Sequence, residues 1–429
     1  MVCATENNKK KRVVDSSLIK KKEIYLVKKI SPPVSKSHMQ RLLAAALMAK
    51  GITTIQNPGH SDDDKAAMGI VEALGGHLAY LEDGALEVKG SELDHGGTLE
   101  AGESGLSSRM FLTIASQSKE TYILTGSGSL LERSFAGIMD IYRKGQVSFS
   151  MNQDKLPISF RGPLRSGFYD LDGSFSSQFI SGLLMTLPVL KGDSEVKIKN
   201  PSSMGYLAMT LNVMESFGIQ FTQTDNYHKI IIPGEQNYVA QRMTTEGDWS
   251  GGAFLLIAQY LGLFAEISGL SLESIQPDSN MISLLKPFGI NHTSTDSRLK
   301  LWGELSSSLK LDLTHTPDLF PPLVLLALFS DGEHRFSGVH RLRGKESDRA
   351  YVMAGELAKA GAVLSVDQDD LVVLGKPQWK EALLNPHGDH RMAMLFGLID
   401  ALISPKITVE NPECVSKSFP HFWDIINPS

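Results

Sequence analysis

The chain has 429 residues, 42% of them hydrophobic, which is enough for two or more domains with separate cores. Its 42 basic residues are outnumbered by 48 acidic ones, and the net charge of −6 argues against nucleic-acid binding through bulk electrostatics. The two cysteines, Cys3 and Cys414, cannot form a disulfide framework, and no CxxC motif suggests a structural metal site.

The first thirty residues combine two basic runs with a segment typical of a β-strand. The basic runs lie at Lys9 to Arg12 and at Lys20 to Lys22, and no apolar stretch of signal-peptide length accompanies them. We interpret them as solvated charge. The longest apolar stretch of the chain, near 323 to 329, is too short to cross a membrane. We therefore expect a cytoplasmic protein that binds no membrane.

The first predicted helix follows Pro32-Pro33 and reads SKSHMQRLLAAALMAKG. From Leu42 onward it is almost wholly apolar, which predicts burial, yet Lys36 and Arg41 lie near its start. The amino end of a helix macrodipole is positive, so each cation there costs roughly 0.3–1 kcal/mol. We infer that these cations share their position with a negatively charged ligand.

A repeat runs through the rest of the chain. Five predicted helices are closed by a glycine, at Leu74-Gly75, Lys144-Gly145, Phe217-Gly218, Phe288-Gly289 and Ala360-Gly361. The helices begin near Ser61, Glu132, Ser203, Ser274 and Glu346, and a sixth start falls near Lys417. The intervals between these starts are 71, 71, 71, 72 and 71 residues. A strand, a polar turn and a second strand follow each closing glycine, which predicts a β-hairpin.

A second, more apolar helix, which we expect to be buried, lies between successive hairpins. The repeat unit is therefore a buried helix, a strand, an outer helix closed by glycine, and a hairpin, and it occurs six times. This alternation predicts an α/β fold. The sixth unit ends at Ser429 without a hairpin, and we predict that residues 12–31 return to close it. One domain then spans 32–245 and the other 246–429 plus 1–31, with chain crossings near Pro32-Pro33 and Glu246-Gly247. An open solenoid is the alternative.

Polar residues interrupt the apolar helices at only two phases of the repeat. At the start of the buried helices lie Lys36, Ser37, Arg41, Ser176, Ser177, Gln178, Asp318, Asp389, His390 and Arg391. At the start of the outer helices lie Arg133, Ser203, Lys345, Glu346, Arg349 and Lys417. Any single Ser or Asp here is more simply an N-cap. Five of the cations indicate instead a small substrate with several phosphates and carboxylates, bound in a cleft between the domains: Arg41, Arg133, Arg349, Arg391 and Lys417.

Two carboxylates, Asp318 and Glu346, lie among these cations. They either balance the positive charge or transfer protons, since a shielded carboxylate can act as an acid or a base. The sequence contains no Walker loop, dinucleotide fingerprint or metal motif, and GESGLSSR has the wrong spacing for a phosphate loop. We expect chemistry without a cofactor or a metal ion.

Six motifs resemble the signatures of the 5-enolpyruvylshikimate-3-phosphate synthase (EPSP synthase) family, and together they cover the chain from about residue 25. They are SKSHMQR, DGSFSSQF, TPDLF, RGKESDR, GDHRMAM and SKSFPHF. The resemblance implies the two-lobed enolpyruvyltransferase fold, in which each domain holds three βαβαββ units as an inside-out α/β barrel. It also implies transfer of the enolpyruvyl group of phosphoenolpyruvate to the 5-hydroxyl of shikimate 3-phosphate, through a tetrahedral intermediate. We expect a monomer.

The resemblance also assigns residues to the two substrates. The shikimate 3-phosphate site would comprise Lys36, Ser37, Arg41, Ser176, Ser177, Gln178, Ser203, Asp318 and Lys345. The phosphoenolpyruvate site would comprise Lys36, Gly105, Arg133, Gln178, Arg349, Arg391 and Lys417. The catalytic candidates are Asp318, Glu346 and Lys36: one carboxylate would take the proton of the attacking hydroxyl and the other would help to protonate the methylene carbon.

The chain departs from the common pattern of this family at several positions. Glu103 and Leu106 flank Gly105 where many members read Asn-Ala-Gly-Thr, Ser134 replaces a proline, and Arg341 replaces an asparagine. The segment SMGY, which begins at Ser203, lacks the usual Lys-Pro pair. Two alternatives remain: the related transferase that acts on UDP-N-acetylglucosamine, and a homologue that binds without catalysis. The transferase that acts on UDP-N-acetylglucosamine typically has Lys-Asn where this chain has Lys36-Ser37. It also typically has a cysteine, or in some members an aspartate, in the loop before the position of Arg133.

Overall fold

A computed structural model describes residues 30–174, 176–201, 203–224, 226–295 and 298–427. Six buried helices recur along it, as the apolar segments predict. They are Lys36–Met48, Gly105–Ala115, Ser177–Thr186, Trp249–Tyr260, Phe320–Leu328 and His390–Leu402. A side chain caps the amino end of five of them: Ser35, Ser104, Ser176, Asp248 and Asp389 each accept a backbone N–H.

Four of the sheets share one strand pattern. An edge strand pairs in parallel with a central strand, and two antiparallel strands follow. In this order, the first sheet contains Arg242–Thr244, Ile52–Gln56, Leu86–Lys89 and His77–Tyr80, and the second contains Gly97–Glu100, Thr121–Thr125, Lys155–Arg161 and Ser148–Asn152. The third contains Phe168–Asp172, Ser194–Lys199, Lys229–Ile232 and Thr222–Thr224. The fourth contains Lys310–Asp312, Glu333–Ser337, Asp370–Leu374 and Val363–Asp367. The hairpins predicted after each closing glycine are the antiparallel pairs.

The remaining strands complete the repeat. They form a three-stranded sheet, Ile267–Ser268, Arg298–Gly303 and Ile290–Thr295, and two parallel pairs, Ala49–Lys50 with Tyr238–Val239 and Ala382–Leu384 with Ile407–Val409. Ile30 makes a parallel bridge to Ile267 in the three-stranded sheet. Ile30 thus takes the place that the parallel edge strand has in the other sheets. This bridge belongs to the fourth unit; residues 12–29, predicted to close the sixth unit, lie outside the described residues.

The outer helices are less regular than the repeat predicts. They are Asp62–Ala73, Gly137–Gly145, Met204–Ser216, Met281–Leu285, Arg349–Lys359 and Phe422–Ile426. The predicted starts near Glu132, Ser274 and Lys417 are wrong, because Gly128–Glu132, Pro277–Asn280 and Pro412–Lys417 are short 3₁₀ segments that precede the α-helices. Proline limits Met281–Leu285, one of two outer helices with only five residues: Pro287 lacks a backbone N–H, and the α-helix ends at Leu285.

Glycine ends four of the five predicted helices. Gly75, Gly218, Gly289 and Gly361 all adopt a positive φ, between 85° and 94°. The prediction is wrong at Gly145, which stays helical, while Gln146 takes the left-handed conformation with φ 57°. A Cβ at Gly145 would lie 2.2 Å from Leu164 Cδ1, so a larger residue there would force the Leu164 side chain to move.

The buried apolar side chains form two separate clusters. One contains residues between 39 and 238, and the other contains Ile30 and residues between 249 and 426. The chain passes between the clusters at the two predicted crossings, which pair with each other: Ser35 N donates to Glu246 O at 2.8 Å, and Asp248 N donates to Pro33 O at 2.8 Å. No helix of the described residues is long and apolar enough to span a membrane.

Candidate active site

A cavity of about 350 Å³ lies where helix starts from both clusters meet. Its wall is strongly charged, with nine cationic side chains against four carboxylates. The cations are Lys36, Arg41, Arg109, Arg133, Arg341, Arg343, Lys345, Arg349 and Arg391, and the carboxylates are Asp63, Asp248, Asp318 and Glu346. The polar residues Ser37, Ser176, Ser177, Gln178 and Ser203, together with Gly105, also line it. Every predicted site residue except Lys417 therefore borders one cavity.

The cations of the first helix have partners within the protein. Lys36 Nζ lies 2.7 Å from Asp63 Oδ2. Burial lowers the pKa of Lys36, but Asp63 and Glu346 together outweigh burial and raise the pKa above its usual value. Arg41 donates to Thr210 Oγ1 at 2.8 Å and to the Ser37 carbonyl at 2.8 Å, and burial lowers its pKa to about 10. Asp63, which the sequence did not indicate, thus balances the charge of Lys36 without a ligand.

Arg349 forms ion pairs with several acidic residues at once. This side chain is 1% exposed, and its three nitrogens contact three different carboxylates. Nη1 lies 2.7 Å from Asp318 Oδ1, Nη2 lies 2.7 Å from Glu346 Oε2, and Nε lies 2.8 Å from Asp389 Oδ2. Burial lowers the pKa of Arg349, but Asp389 and Glu346 reverse this and raise it overall. The fork geometry of a guanidinium fixes the relative positions of the two catalytic candidates.

Asp318 is surrounded by cations. Arg391 Nη2 lies 3.2 Å from its Oδ2, and Lys345 Nζ lies 3.5 Å from its Oδ1. Burial raises the pKa of Asp318, but Arg391, Lys345 and Arg349 together outweigh burial and hold the pKa well below its ordinary value. Asp318 is therefore ionised and can accept a proton.

Glu346 occupies the other side of Arg349. Its Oε1 lies 4.0 Å from Arg133 Nη1. Burial raises its pKa, but Arg349 and Arg133 outweigh burial and keep the pKa well below the usual value. The Arg133 guanidinium in turn lies against Gly105, where a Cβ would come within 2.5 Å of Nη1. Glycine at 105 is thus necessary for Arg133 to reach this position.

Arg391 retains donors for a ligand. Its Nη2 pairs with Asp318, whereas Nε and Nη1 are buried and make no hydrogen bond to any described residue. Buried guanidinium donors normally have partners, because an unsatisfied buried donor costs about 1–3 kcal/mol. An anion that bound beside Asp318 would supply these partners.

Lys417 stands behind the cavity wall. Its Nζ lies 3.3 Å from Asp63 Oδ1 and donates to the Glu103 carbonyl at 2.7 Å. Lys36 and Lys417 therefore share Asp63. A carboxylate between two ammonium groups holds both in place, although Lys417 is not a lining residue.

Several lining residues escaped the sequence analysis. Asp63 was hidden in the acidic first turn of helix Asp62–Ala73, where carboxylates are expected anyway. Arg109 lies in the second turn of its helix, donates to Gln178 Oε1 at 2.8 Å and packs on the Phe135 and Phe179 rings. The signal for Arg109 was the same as for Arg41, a cation early in an apolar helix.

The repeat and the charged cavity are those of a protein with the enolpyruvyl transferase fold. Two solved structures support this fold over most of the chain. An EPSP synthase from Acinetobacter baumannii superposes with a TM-score of 0.74 at 23% identity, covering 93% of this chain and 95% of that one. The enolpyruvyl transferase NikO from Streptomyces tendae superposes with a TM-score of 0.72 at 17% identity, with 94% of each chain covered. The predicted fold class is confirmed.

Sequence comparison specifies the family. Residues 20–426 match the family described as EPSP synthase (3-phosphoshikimate 1-carboxyvinyltransferase). Relatives named 3-phosphoshikimate 1-carboxyvinyltransferase include one from Clostridium botulinum (strain Eklund 17B / Type B), 34% identical over 405 residues, with 92% of this chain and 93% of the relative covered. One from Clostridium novyi (strain NT) is 30% identical over 406 residues, with 92% and 93% covered. The chain belongs to the EPSP synthase family, and the predicted resemblance is confirmed.

Proposed function

We propose that the protein transfers the enolpyruvyl group of phosphoenolpyruvate to the 5-hydroxyl of shikimate 3-phosphate, as a monomeric cytoplasmic enzyme. The observation that carries this proposal is the single cavity with nine cations, in which Arg349 holds two carboxylates side by side. Both substrates carry a phosphate and a carboxylate, and such groups are bound by Arg and Lys. An acid and a base are also needed for this reaction.

We further propose that the two apolar clusters belong to two domains, 32–245 and 246–429 plus 1–31. The clusters fall on either side of the crossings, and few segments connect them. The cavity then lies between the domains. This arrangement would let substrates enter when the domains separate.

We assign the residues of the cavity, together with Lys417, to the two substrates. Asp318 lies beside Lys345, which we assign with Ser37, Arg41, Ser176, Ser177 and Ser203 to shikimate 3-phosphate. Glu346 lies beside Arg133, which we assign with Gly105, Arg349, Arg391 and Lys417 to phosphoenolpyruvate. Lys36 and Gln178 would contact both substrates.

The division assigns a proton transfer to each carboxylate. The ionised Asp318 takes the proton of the 5-hydroxyl while the hydroxyl oxygen bonds to C2 of phosphoenolpyruvate. A proton is delivered to C3 at the same time, which gives a tetrahedral intermediate with a methyl group. A proton then returns from C3 to Glu346, the bond between C2 and the phosphate oxygen breaks, and the vinyl group is restored. The departing phosphate takes the proton held by Asp318. We assign Glu346 as the acid for C3. Bound phosphate neutralises the cations beside it, so its pKa rises on binding and it takes up a proton from solvent before the step. Lys36 stabilises the negative charge of the intermediate.

The experiment is phosphate release from the purified protein, measured with both substrates, with each alone, and with UDP-N-acetylglucosamine replacing shikimate 3-phosphate. We expect release only when shikimate 3-phosphate and phosphoenolpyruvate are both present. Binding of both compounds without release would indicate a non-catalytic homologue, and release with UDP-N-acetylglucosamine would indicate the related transferase. The Glu346→Gln and Asp318→Asn variants should bind both substrates and turn over at least 100-fold more slowly.

A further inference from the structure

Glu103 lies beside the cavity but does not line it. Its carboxylate contacts the segment 128–132: Oε2 accepts hydrogen bonds from Ser129 N at 3.0 Å and from Ser129 Oγ at 2.7 Å. Gly128 makes room for this contact. It has φ 51°, and a Cβ there would lie 2.3 Å from Glu103 Cδ. The local structure of 128–132 is therefore built around the Glu103 side chain.

The segment held by Glu103 leads directly to Arg133. The 3₁₀ turn Gly128–Glu132 ends with Arg133 N donating to Leu130 O at 3.2 Å. The guanidinium then packs on Gly105, two residues from Glu103 in the sequence. A shift of Ser129 would therefore move the Arg133 side chain in the cavity.

The main chain of Glu103 holds a second cation. Its carbonyl accepts a hydrogen bond from Lys417 Nζ at 2.7 Å, although Lys417 belongs to the other end of the chain. One residue thus contacts the segment that precedes Arg133 and also contacts Lys417 itself. Both cations are assigned to phosphoenolpyruvate.

We propose, building on the proposed function, that Glu103 is a positioning residue for phosphoenolpyruvate. Its side chain fixes Arg133 through Ser129, and its carbonyl fixes Lys417. The carboxylate suits the first task because one oxygen accepts from both an N–H and an O–H, and hydrogen bonds to an ionised acceptor are short and strong.

The experiment compares Glu103→Ala with Glu103→Gln. The amide oxygen of glutamine can still accept from Ser129, so Glu103→Gln should keep a KM for phosphoenolpyruvate within about twofold of the wild type. Glu103→Ala should raise that KM about tenfold, a loss similar to one charge-assisted hydrogen bond, and should leave the KM for shikimate 3-phosphate within about twofold. Asp400→Ala is the control, because Asp400 also accepts a backbone N–H, from Ile407 at 2.9 Å, far along the chain from these residues.

Hydrogen exchange provides a readout that needs no turnover. The amides of 128–133 should exchange faster in Glu103→Ala than in the wild type and in Glu103→Gln. Unchanged protection there, an unchanged KM for phosphoenolpyruvate in Glu103→Ala, or equal effects of Ala and Gln would overturn the inference. Failure of the proposed function appears separately, as a wild-type protein that releases no phosphate.

Discussion

Arg341 is a cation at a position where the family pattern commonly has asparagine. It lines the cavity, its Nη2 donates to Ser203 Oγ at 2.9 Å and its Nη1 donates to the Ser174 carbonyl at 3.3 Å. Burial lowers its pKa and Asp318 partly offsets this. The serine that we assign to the phosphorylated substrate therefore has a guanidinium beside it.

Arg341→Asn should weaken binding of shikimate 3-phosphate. Loss of one cation and one hydrogen bond to Ser203 should raise the KM for this substrate about five- to tenfold, with a much smaller change for phosphoenolpyruvate. Steady-state kinetics at low and high salt would check this, since the difference should shrink as salt screens the charge. Arg335→Asn is the matched control, because Arg335 pairs with Glu333 and Asp367 on an exposed sheet. An equal effect in both variants would contradict the prediction.

Asp278 links protonation to stability. It is 2% exposed, and burial, with Asp318 as a smaller cause, raises its pKa from 3.8 to about 7. In the unfolded chain the group ionises near pH 3.8, so the folded state binds its proton more tightly. The stabilisation from that proton is complete below about pH 3.8 and is lost as pH rises through about 7.

Asp278→Asn removes this dependence, because asparagine carries no charge at any of these pH values. Thermal unfolding of both proteins should therefore show a Tm difference, variant minus wild type, that is more positive at pH 8 than at pH 5. Glu273→Gln, at an exposed position on the same connection, should show no such trend. A Tm difference that is the same at both pH values would contradict the assignment.

At the level of single residues, the sequence predicted which side chains meet but not how they pair. Most of the cations were recognised because they lie near the start of a helix, whereas Arg109 carried the same signal and was missed. Asp63 was not recognised, because an acid in the first turn of a helix needs no special explanation. Its role depends on a lysine 27 residues away, and only the tertiary structure brings Lys36 and Lys417 to the same carboxylate.

Helix ends show where the repeat determines structure and where packing does. Gly218 and Gln146 occupy equivalent positions after outer helices, and both adopt a positive φ, 85° and 57°. The left-handed conformation costs an ordinary residue about 1–2 kcal/mol. The sequence could not reveal that Gly145 packs closely against Leu164 within the helix, or that Gln146 instead adopts the left-handed conformation.

Gln146→Gly should therefore stabilise the protein, and Gly218→Ala should destabilise it, each by about 1 kcal/mol. A Cβ at 218 would meet only Val239 Cγ2 at 3.5 Å, an ordinary contact, so the second variant reports backbone strain alone. Midpoints of denaturant unfolding would measure both changes. Shifts in the same direction would show that the backbone conformation does not decide stability here.

The repeat predicted the order of the helices and strands, but it did not predict the lengths of the outer helices. A period of about 71 residues predicts that each unit has an outer helix, but local proline and glycine decide how much of it is α-helical. Met281–Leu285 lies between two 3₁₀ segments that each contain a proline, and so has only five residues. The periodic pattern alone could not locate such breaks.

At the level of the whole molecule, cationic side chains make contacts between the two halves of the chain. Contacts between them surround the cavity: Arg133 to Glu346 at 4.0 Å, Lys417 to the Glu103 carbonyl at 2.7 Å, and Arg341 to Ser203 at 2.9 Å. The wall nevertheless keeps an excess of cations, which repel one another across a small space. Two multiply charged anions would remove that repulsion.

Binding of both substrates should therefore draw the two proposed domains together. Small-angle scattering should give a smaller radius of gyration with shikimate 3-phosphate and phosphoenolpyruvate present than without them, because the anions favour the closed state over the open one. Arg391→Ala removes a cation whose Nε and Nη1 have no partner among the described residues, so it should bind phosphoenolpyruvate poorly and close less at the same concentrations. The Arg335→Asn variant, altered on the exposed sheet, should close as the wild type does. Identical dimensions with and without both substrates would show that charge neutralisation does not drive the halves together.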